Sequence, residues 1–348
     1  MPELKTGGAQ GYLRIATEEA FAPPELMQAY RKLLATGSDD PGFQSLWGFY
    51  LGSKSPRAVA IIERLQDMGA RRLADMDERG IDRQIVAVTA PGVQIFDRDT
   101  AVAMTTLSND QLAEHCRKHP TRYTGMVAVA PQDPAHAAKE IERGAKLGFK
   151  AIIINSHTHG EYLDDPKFWP IFEAADAYHL PVYIHPNTPP KAMITPMLES
   201  GLDGAIFGFG VETGMHAMRL IVMGVFDRFP HLKIILGHMG EALPFWSYRL
   251  DFMHSATVRS QRYDFMKPLK KKPSEYLRDN FYITNSGVAW EPAIKFTQAT
   301  IGVDNVLYAM DYPYQETPEE VVALDAMAMD LATKRKFFQT NAEIVFNL

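Results

Sequence analysis

The chain has 348 residues, 46% of them hydrophobic and 22% charged, with a net charge of −6. That balance allows a sizeable core and excludes the strongly basic surface that nucleic acid or an anionic membrane would require. A single cysteine, Cys116, excludes an intrachain disulfide and fits a reducing compartment; with no secretory leader and no membrane-length apolar run in view, a cytoplasmic protein is expected.

A polar, Gly-rich lead-in at residues 1–12 precedes the first expected strand, Leu13 to Glu19. An insertion at 39–56 carries Trp47, Phe49 and Tyr50. From Ala58 to Arg79, apolar residues at helical spacing (Ala60, Ile61, Leu65, Met68, Leu73, Met76) predict one amphipathic helix. A strand over Ile81 to Thr89 follows, then a helical stretch that holds Cys116, then a strand over Tyr123 to Ala130. Pro134 to Leu147 opens on a proline and closes before Gly148, as a helix should. Strands are expected at Phe149 to Ser156 and Pro181 to His185, with a helix over Phe168 to Tyr178 between them. A second insertion, 187–210, is rich in Pro, Met, Gly and Phe. The helix from Met215 to Phe229 places Met215, Met218 and Met223 at core spacing. The last strands are Lys233 to His238, Phe281 to Asn285 and Val306 to Asp311.

Strict alternation of strands and helices implies a parallel sheet, and eight repeats favour closure into a (β/α)8 TIM barrel spanning 1–348 as one domain. No Gly-x-Gly-x-x-Gly follows the first strand, which argues against a dinucleotide fold. In such a barrel the residues at strand C-termini converge on one pocket. Here those ends read Thr17-Glu18-Glu19-Ala20, Asn155-Ser156-His157, His185-Pro186, His238-Met239-Gly240-Glu241 and Asp311-Tyr312-Pro313. Any one histidine after a strand is more often structural than functional. Imidazoles and carboxylates gathered at one end are the donor set of a divalent metal site.

Glu18, His185, His238 and Asp311, on the first, fifth, sixth and eighth strands, resemble the amidohydrolase superfamily. The usual second histidine of the first strand is replaced by Ala20, and the fourth strand offers Asn155 where binuclear members carry a modified lysine. The resemblance therefore implies one metal ion. The Thr-Glu-Glu-Ala-Phe opening, Gly-His-Met-Gly-Glu and Asp-Tyr-Pro-Tyr resemble its non-oxidative aromatic decarboxylase branch. Leu46 to Tyr50, Gly208 to His216 and Ala309 to Tyr314 are most similar to the group within that branch that acts on 5-carboxyvanillate in lignin catabolism.

The resemblance implies Glu18, His185 and Asp311 as ligands of manganese, with zinc as the alternative. It implies Asp311 as proton donor, His238 as its helper or rival, and Glu241 as partner of His238. Arg57, Thr89, Phe209, Arg249 and Tyr314 are the expected contacts to a small aromatic carboxylic acid. Arg57 is expected to cross a subunit interface of a homodimer or homotetramer, because the Trp47 to Tyr50 segment reads as too apolar for a solvated loop. His157 and His159 flank the pocket and are expected to be structural. The alternative is a hydrolase on the same scaffold, acting on an ester, lactone or C–C bond. A non-catalytic metal-binding module has no need of so convergent a pocket.

Overall fold

The computed structural model describes residues 4–315 and 317–348. Eight parallel strands appear in sequence order around the sheet: β1 (Ile15–Phe21), β2 (Arg83–Val88), β3 (Tyr123–Ala128), β4 (Ala151–Ile154), β5 (Val182–Ile184), β6 (Ile234–Leu236), β7 (Phe281–Thr284) and β8 (Val306–Leu307). All lie within the runs expected from sequence, except that β1 extends two residues further, to Phe21. The ring closes between β8 and β1. Thr17 N–H donates to Tyr308 O at 3.0 Å, Ala20 N–H donates to Tyr312 O at 2.7 Å, and Glu19 bridges Tyr312 in parallel register. This is the TIM barrel the alternation predicted.

Most strands are buried along their whole length, because inner side chains fill the barrel and helices cover the outside. The helices in chain order are α1 (Pro24–Thr36), α2 (Pro41–Gly52), α3 (Pro56–Gln66), α4 (Ala70–Glu78), α5 (Arg98–Lys118), α6 (Pro134–Lys146), α7 (Trp169–Ala177), α8 (Lys191–Leu198), α9 (Gly208–Val222), α10 (Val225–Arg228), the one-turn α11 (His238–Glu241), α12 (Leu243–Arg259), α13 (Pro273–Asn280), α14 (Glu291–Ile301), α15 (Pro318–Asp325), α16 (Leu331–Arg335) and α17 (Asn341–Val345). No helix of the described residues is long and apolar enough to cross a membrane.

Four expectations change. The helix predicted from Ala58 to Arg79 is two helices, α3 and α4. The Asp67 carboxylate accepts the Gly69 N–H at 2.7 Å, and this local turn competes with the helical ladder between them. The strand expected to run to Asp311 pairs only through Leu307. Beyond it the backbone donors turn to side chains: Ala309 N–H to Asn285 Oδ1 and Met310 N–H to Glu19 Oε1, both at 2.9 Å. The lead-in ends in a packed residue, since Tyr12 is buried and stacks on Phe338 at 4.7 Å. In the 39–56 insertion, α2 buries Trp47 within its own chain. Its indole donates to Ala90 O at 3.1 Å and packs on Tyr30. Only Phe49 of that aromatic group remains exposed, so the segment supplies little free apolar surface.

Candidate metal and substrate site

Glu18 sits on β1 where the register with β2 shifts between Ala16 and Glu19. Such a bulge re-aims a side chain. Glu18 Oε2 accepts from Tyr183 Oη and, at 3.1 Å, from Thr284 Oγ1. Its other oxygen, Oε1, is buried with no hydrogen-bond partner. It faces His185 Nε2 at 3.3 Å and His238 Nε2 at 3.6 Å.

Each imidazole is held from behind. His185 Nδ1 meets Pro186 O at 2.8 Å, and His238 Nδ1 meets Glu241 Oε1 at 2.8 Å. These contacts fix the rings and leave both Nε2 atoms aimed at Glu18. His238 needs an unusual backbone for this. Residues 238 to 242 all have positive φ, from 50° at His238 to 73° at Gly240. A side chain at 240 would place its Cβ 2.5 Å from Ile283, and one at 237 would place it 2.7 Å from Glu18 Oε2. Glycine at both positions lets the turn sit on the barrel end. Asp311 is also left-handed, at φ 64°. Non-glycine residues hold such angles only where their surroundings over-determine them, typically at functional sites.

The electrostatics follow. Burial opposes the charge of Glu18, but His238 and His185 outweigh it and hold the carboxyl below its ordinary value. Desolvation opposes charge on His238, but Glu241 and then Glu18 push its imidazolium up to about 10. Burial, reinforced by Glu18, pushes the Asp311 carboxyl upward. Among the described residues no three His, Cys, Asp or Glu side chains already stand at coordination spacing. The fit to a cation rests on the bare Glu18 oxygen between two oriented imidazoles, with Asp311 close enough to feel both. A mixed carboxylate and imidazole set of this kind suits manganese or zinc.

A cavity of about 600 Å³ opens beside His238, Glu241 and Asp311. Phe209 lines it, as expected. Met215, Met218 and Trp246 also line it; of the three methionines expected in the core, Met218 packs against the core from the cavity wall, Met215 is half-buried there and Met223 is exposed. Thr89 and Tyr314 come together, with their hydroxyls 2.5 Å apart, and burial raises the Tyr314 phenol. Arg57 Nη2 donates to Tyr314 O of the same chain at 2.8 Å. Arg249 does not join this group. It is exposed on α12 and, like Arg57, Thr89 and Tyr314, is absent from the wall of this cavity, to which α12 contributes Leu243 and Trp246.

The histidines beyond β4 are structural, as expected. His157 donates from Nε2 to Thr188 O at 2.9 Å and accepts Gly160 N–H at Nδ1, and His159 Nε2 meets Phe96 O at 3.0 Å. Tyr183 and Thr284 were missed in the sequence. Tyr183 stands two residues before His185, hence on the same strand face, and that spacing was the available signal.

A family profile described as Amidohydrolase matches residues 61–348. The chain is 61% identical, with a TM-score of 0.99, to 5-carboxyvanillate decarboxylase from Novosphingobium aromaticivorans, complexed with manganese and 4-hydroxy-3-methoxy-5-nitrobenzoic acid; 100% of this chain and 99% of that one are covered. The 5-carboxyvanillate decarboxylase from Sphingomonas paucimobilis is 41% identical, with a TM-score of 0.91, over 97% of this chain and 99% of that one. The gamma-resorcylate decarboxylase of a Polaromonas species is 36% identical over 82% of this chain and 89% of its own length. The orphaned carboxylate, the two oriented imidazoles and the sequence match agree: the chain belongs to the amidohydrolase family, in its decarboxylase branch.

Proposed function

We propose that this chain catalyses the manganese-dependent, non-oxidative decarboxylation of an ortho-hydroxylated aromatic acid, with 5-carboxyvanillate as substrate and vanillate as product. The observation that carries the reading is the bare Glu18 Oε1 facing His185 and His238, the latter lining a cavity together with Asp311 and Phe209. The relatives are decarboxylases, which favours loss of CO2 over hydrolysis.

Losing CO2 from an arene directly would leave an aryl anion. The carboxylated carbon must be protonated first, helped by electron density from a neighbouring phenolate. A divalent ion, when bound, stabilises the phenolate and holds the substrate oxygens. Glu18, His185 and Asp311 would hold that ion. Asp311 delivers the proton to the ring carbon, after which the C–C bond breaks, CO2 leaves and aromaticity returns. His238, oriented by Glu241, positions the substrate hydroxyl. Phe209 packs on the ring, and Thr89 and Tyr314 set its edge. Arg57 neutralises a remaining carboxylate.

Self-association is part of this reading, on new grounds. Phe245 (71% exposed), Tyr248 (84%) and Phe252 (57%) form an outward aromatic face on α12, more apolar than a solvated helix should be. Arg249 lies on the same helix, so a partner's cavity is where it would act. Zinc remains the alternative ion. A cytoplasmic place in the breakdown of lignin-derived aromatics fits the single free cysteine and the substrate class. Incubation with manganese and 5-carboxyvanillate tests the reaction: it predicts vanillate and CO2, whereas an aromatic product carrying oxygen from labelled water would identify a hydrolase. Sedimentation of an active monomer at assay concentration would remove the assembly claim.

A further inference from the structure

Glu19, the neighbour of Glu18, points away from the proposed ion and into a separate buried network. Its Oε1 accepts Met310 N–H at 2.9 Å and its Oε2 accepts Tyr312 N–H at 3.3 Å. Those N–H groups belong to the residues just before and just after Asp311. The carboxylate thus grips the chain before and after the residue whose φ is 64°. Behind it, Gln84 Nε2 donates to Glu19 Oε2 at 3.3 Å, and Gln84 Oε1 accepts from Arg72 Nε at 2.7 Å. Arg72 is fully buried, donates to Ala20 O at 2.8 Å and lies 4.5 Å over the Tyr312 ring. Tyr312 Oη in turn donates to Asp75 Oδ2 at 2.9 Å. None of these groups lines the substrate cavity.

We propose that Glu19 is a positioning residue for Asp311, acting through the two N–H groups that flank it. Beyond Leu307 the chain leaves the β7 ladder and is tied to β1 through Tyr308 O and Tyr312 O, which accept from Thr17 and Ala20, while the N–H groups of Met310 and Tyr312 go to Glu19. A left-handed aspartate relaxes to a commoner conformation unless the residues on either side of it are held. One carboxylate can accept two N–H groups at once; an amide offers a single acceptor oxygen and turns its NH2 toward the other donor. Arg72, bonded to Gln84, only partly offsets the burial that pushes the Glu19 carboxyl upward, and in either protonation state both of its oxygens can accept backbone N–H groups. The inference rests on Asp311 being the proton donor.

The test compares manganese-loaded wild type with Glu19→Gln, with the charge-neutral pair Glu19→Gln/Arg72→Met, and with Asp311→Asn. Positioning predicts that kcat for CO2 release falls by about 10- to 100-fold in Glu19→Gln. KM should stay near wild type and the loss of kcat should persist at verified full manganese occupancy, while the melting midpoint falls because a buried acceptor is lost. If the single variant does not fold, the pair, which removes both buried charges, carries the same expectation. A folded variant with wild-type kcat overturns the proposal, and so does a loss that excess manganese restores. An inactive Asp311→Asn beside a fully active Glu19→Gln removes only the positioning role. An active, manganese-loaded Asp311→Asn removes the donor reading and the positioning role with it.

Discussion

His185 and His238 stand at the same end of the barrel as His157 and His216, yet the two pairs are used differently. In the first pair one ring nitrogen is tied back and the other faces the unpartnered Glu18 oxygen. In the second pair both nitrogens are consumed by the fold. His157 bonds Thr188 O and Gly160 N–H; His216 bonds Ser156 Oγ at 3.0 Å and Leu163 N–H at 3.2 Å. The charges diverge accordingly. His238 is pushed up to about 10 by Glu241 and Glu18 against its desolvation, while burial drives His216 down to about 3. A free nitrogen beside an orphaned carboxylate marks a ligand or acid–base group, and its place after a strand does not.

The largest effect should come from removing a first-pair imidazole. His185→Ala should bind manganese poorly and show no decarboxylation at stoichiometric metal, with partial recovery in excess manganese; full activity without added metal would remove His185 from the ligand set. Glu241→Gln should act next. It leaves His238 in place but loosens its orientation, so kcat should fall about 10- to 100-fold with manganese retained. An unchanged kcat would make the 2.8 Å contact incidental.

The second pair predicts effects on stability. His216 has a folded value of about 3 against an ordinary 6.5, so between these values the unfolded chain binds a proton that the folded chain refuses. Its contribution is full above about 6.5 and is lost as pH falls toward 3. His216→Gln should flatten the acid side of a denaturation series from pH 7 to pH 4, and an unchanged slope would contradict the assignment. His157→Gln is the smallest change: it should lower the melting temperature somewhat while leaving manganese content intact, and loss of metal would return it to the first pair.

Much of this was legible in the sequence because strand ends in a barrel must converge. Glu18, His185, His238 and Asp311 each end an apolar run, and their meeting follows from topology. Side-chain detail was less legible. The left-handed stretch at 238–242 is signalled only by Gly240, where a Cβ would meet Ile283; the positive φ at His238 and Glu241 has no signal of its own. Which way α12 turns Arg249 depends on its mixed apolar surface, which does not specify one inward face. Trp47 suggested an interface because the sequence does not show that Tyr30 and Ala90 lie against it. The clasp of Glu19 on residues 310 and 312 joins positions nearly 300 residues apart, and no local pattern announces it.

The central claim is that a ring carbon is protonated by Asp311, and the product tests it in reverse. In the reverse direction CO2 adds to the ring carbon and Asp311 takes the proton back, so with CO2 present the enzyme must also exchange it. Manganese-loaded wild type incubated with vanillate and bicarbonate in heavy water should place deuterium at the ring position next to the hydroxyl, followed by mass and proton spectra. Asp311→Asn, with manganese content verified, should show no exchange, because an amide has no proton to give at neutral pH. His238→Asn should retain slow exchange. Exchange in metal-loaded Asp311→Asn at a substantial fraction of the wild-type rate, with none in His238→Asn, would contradict the account and move the proton to His238.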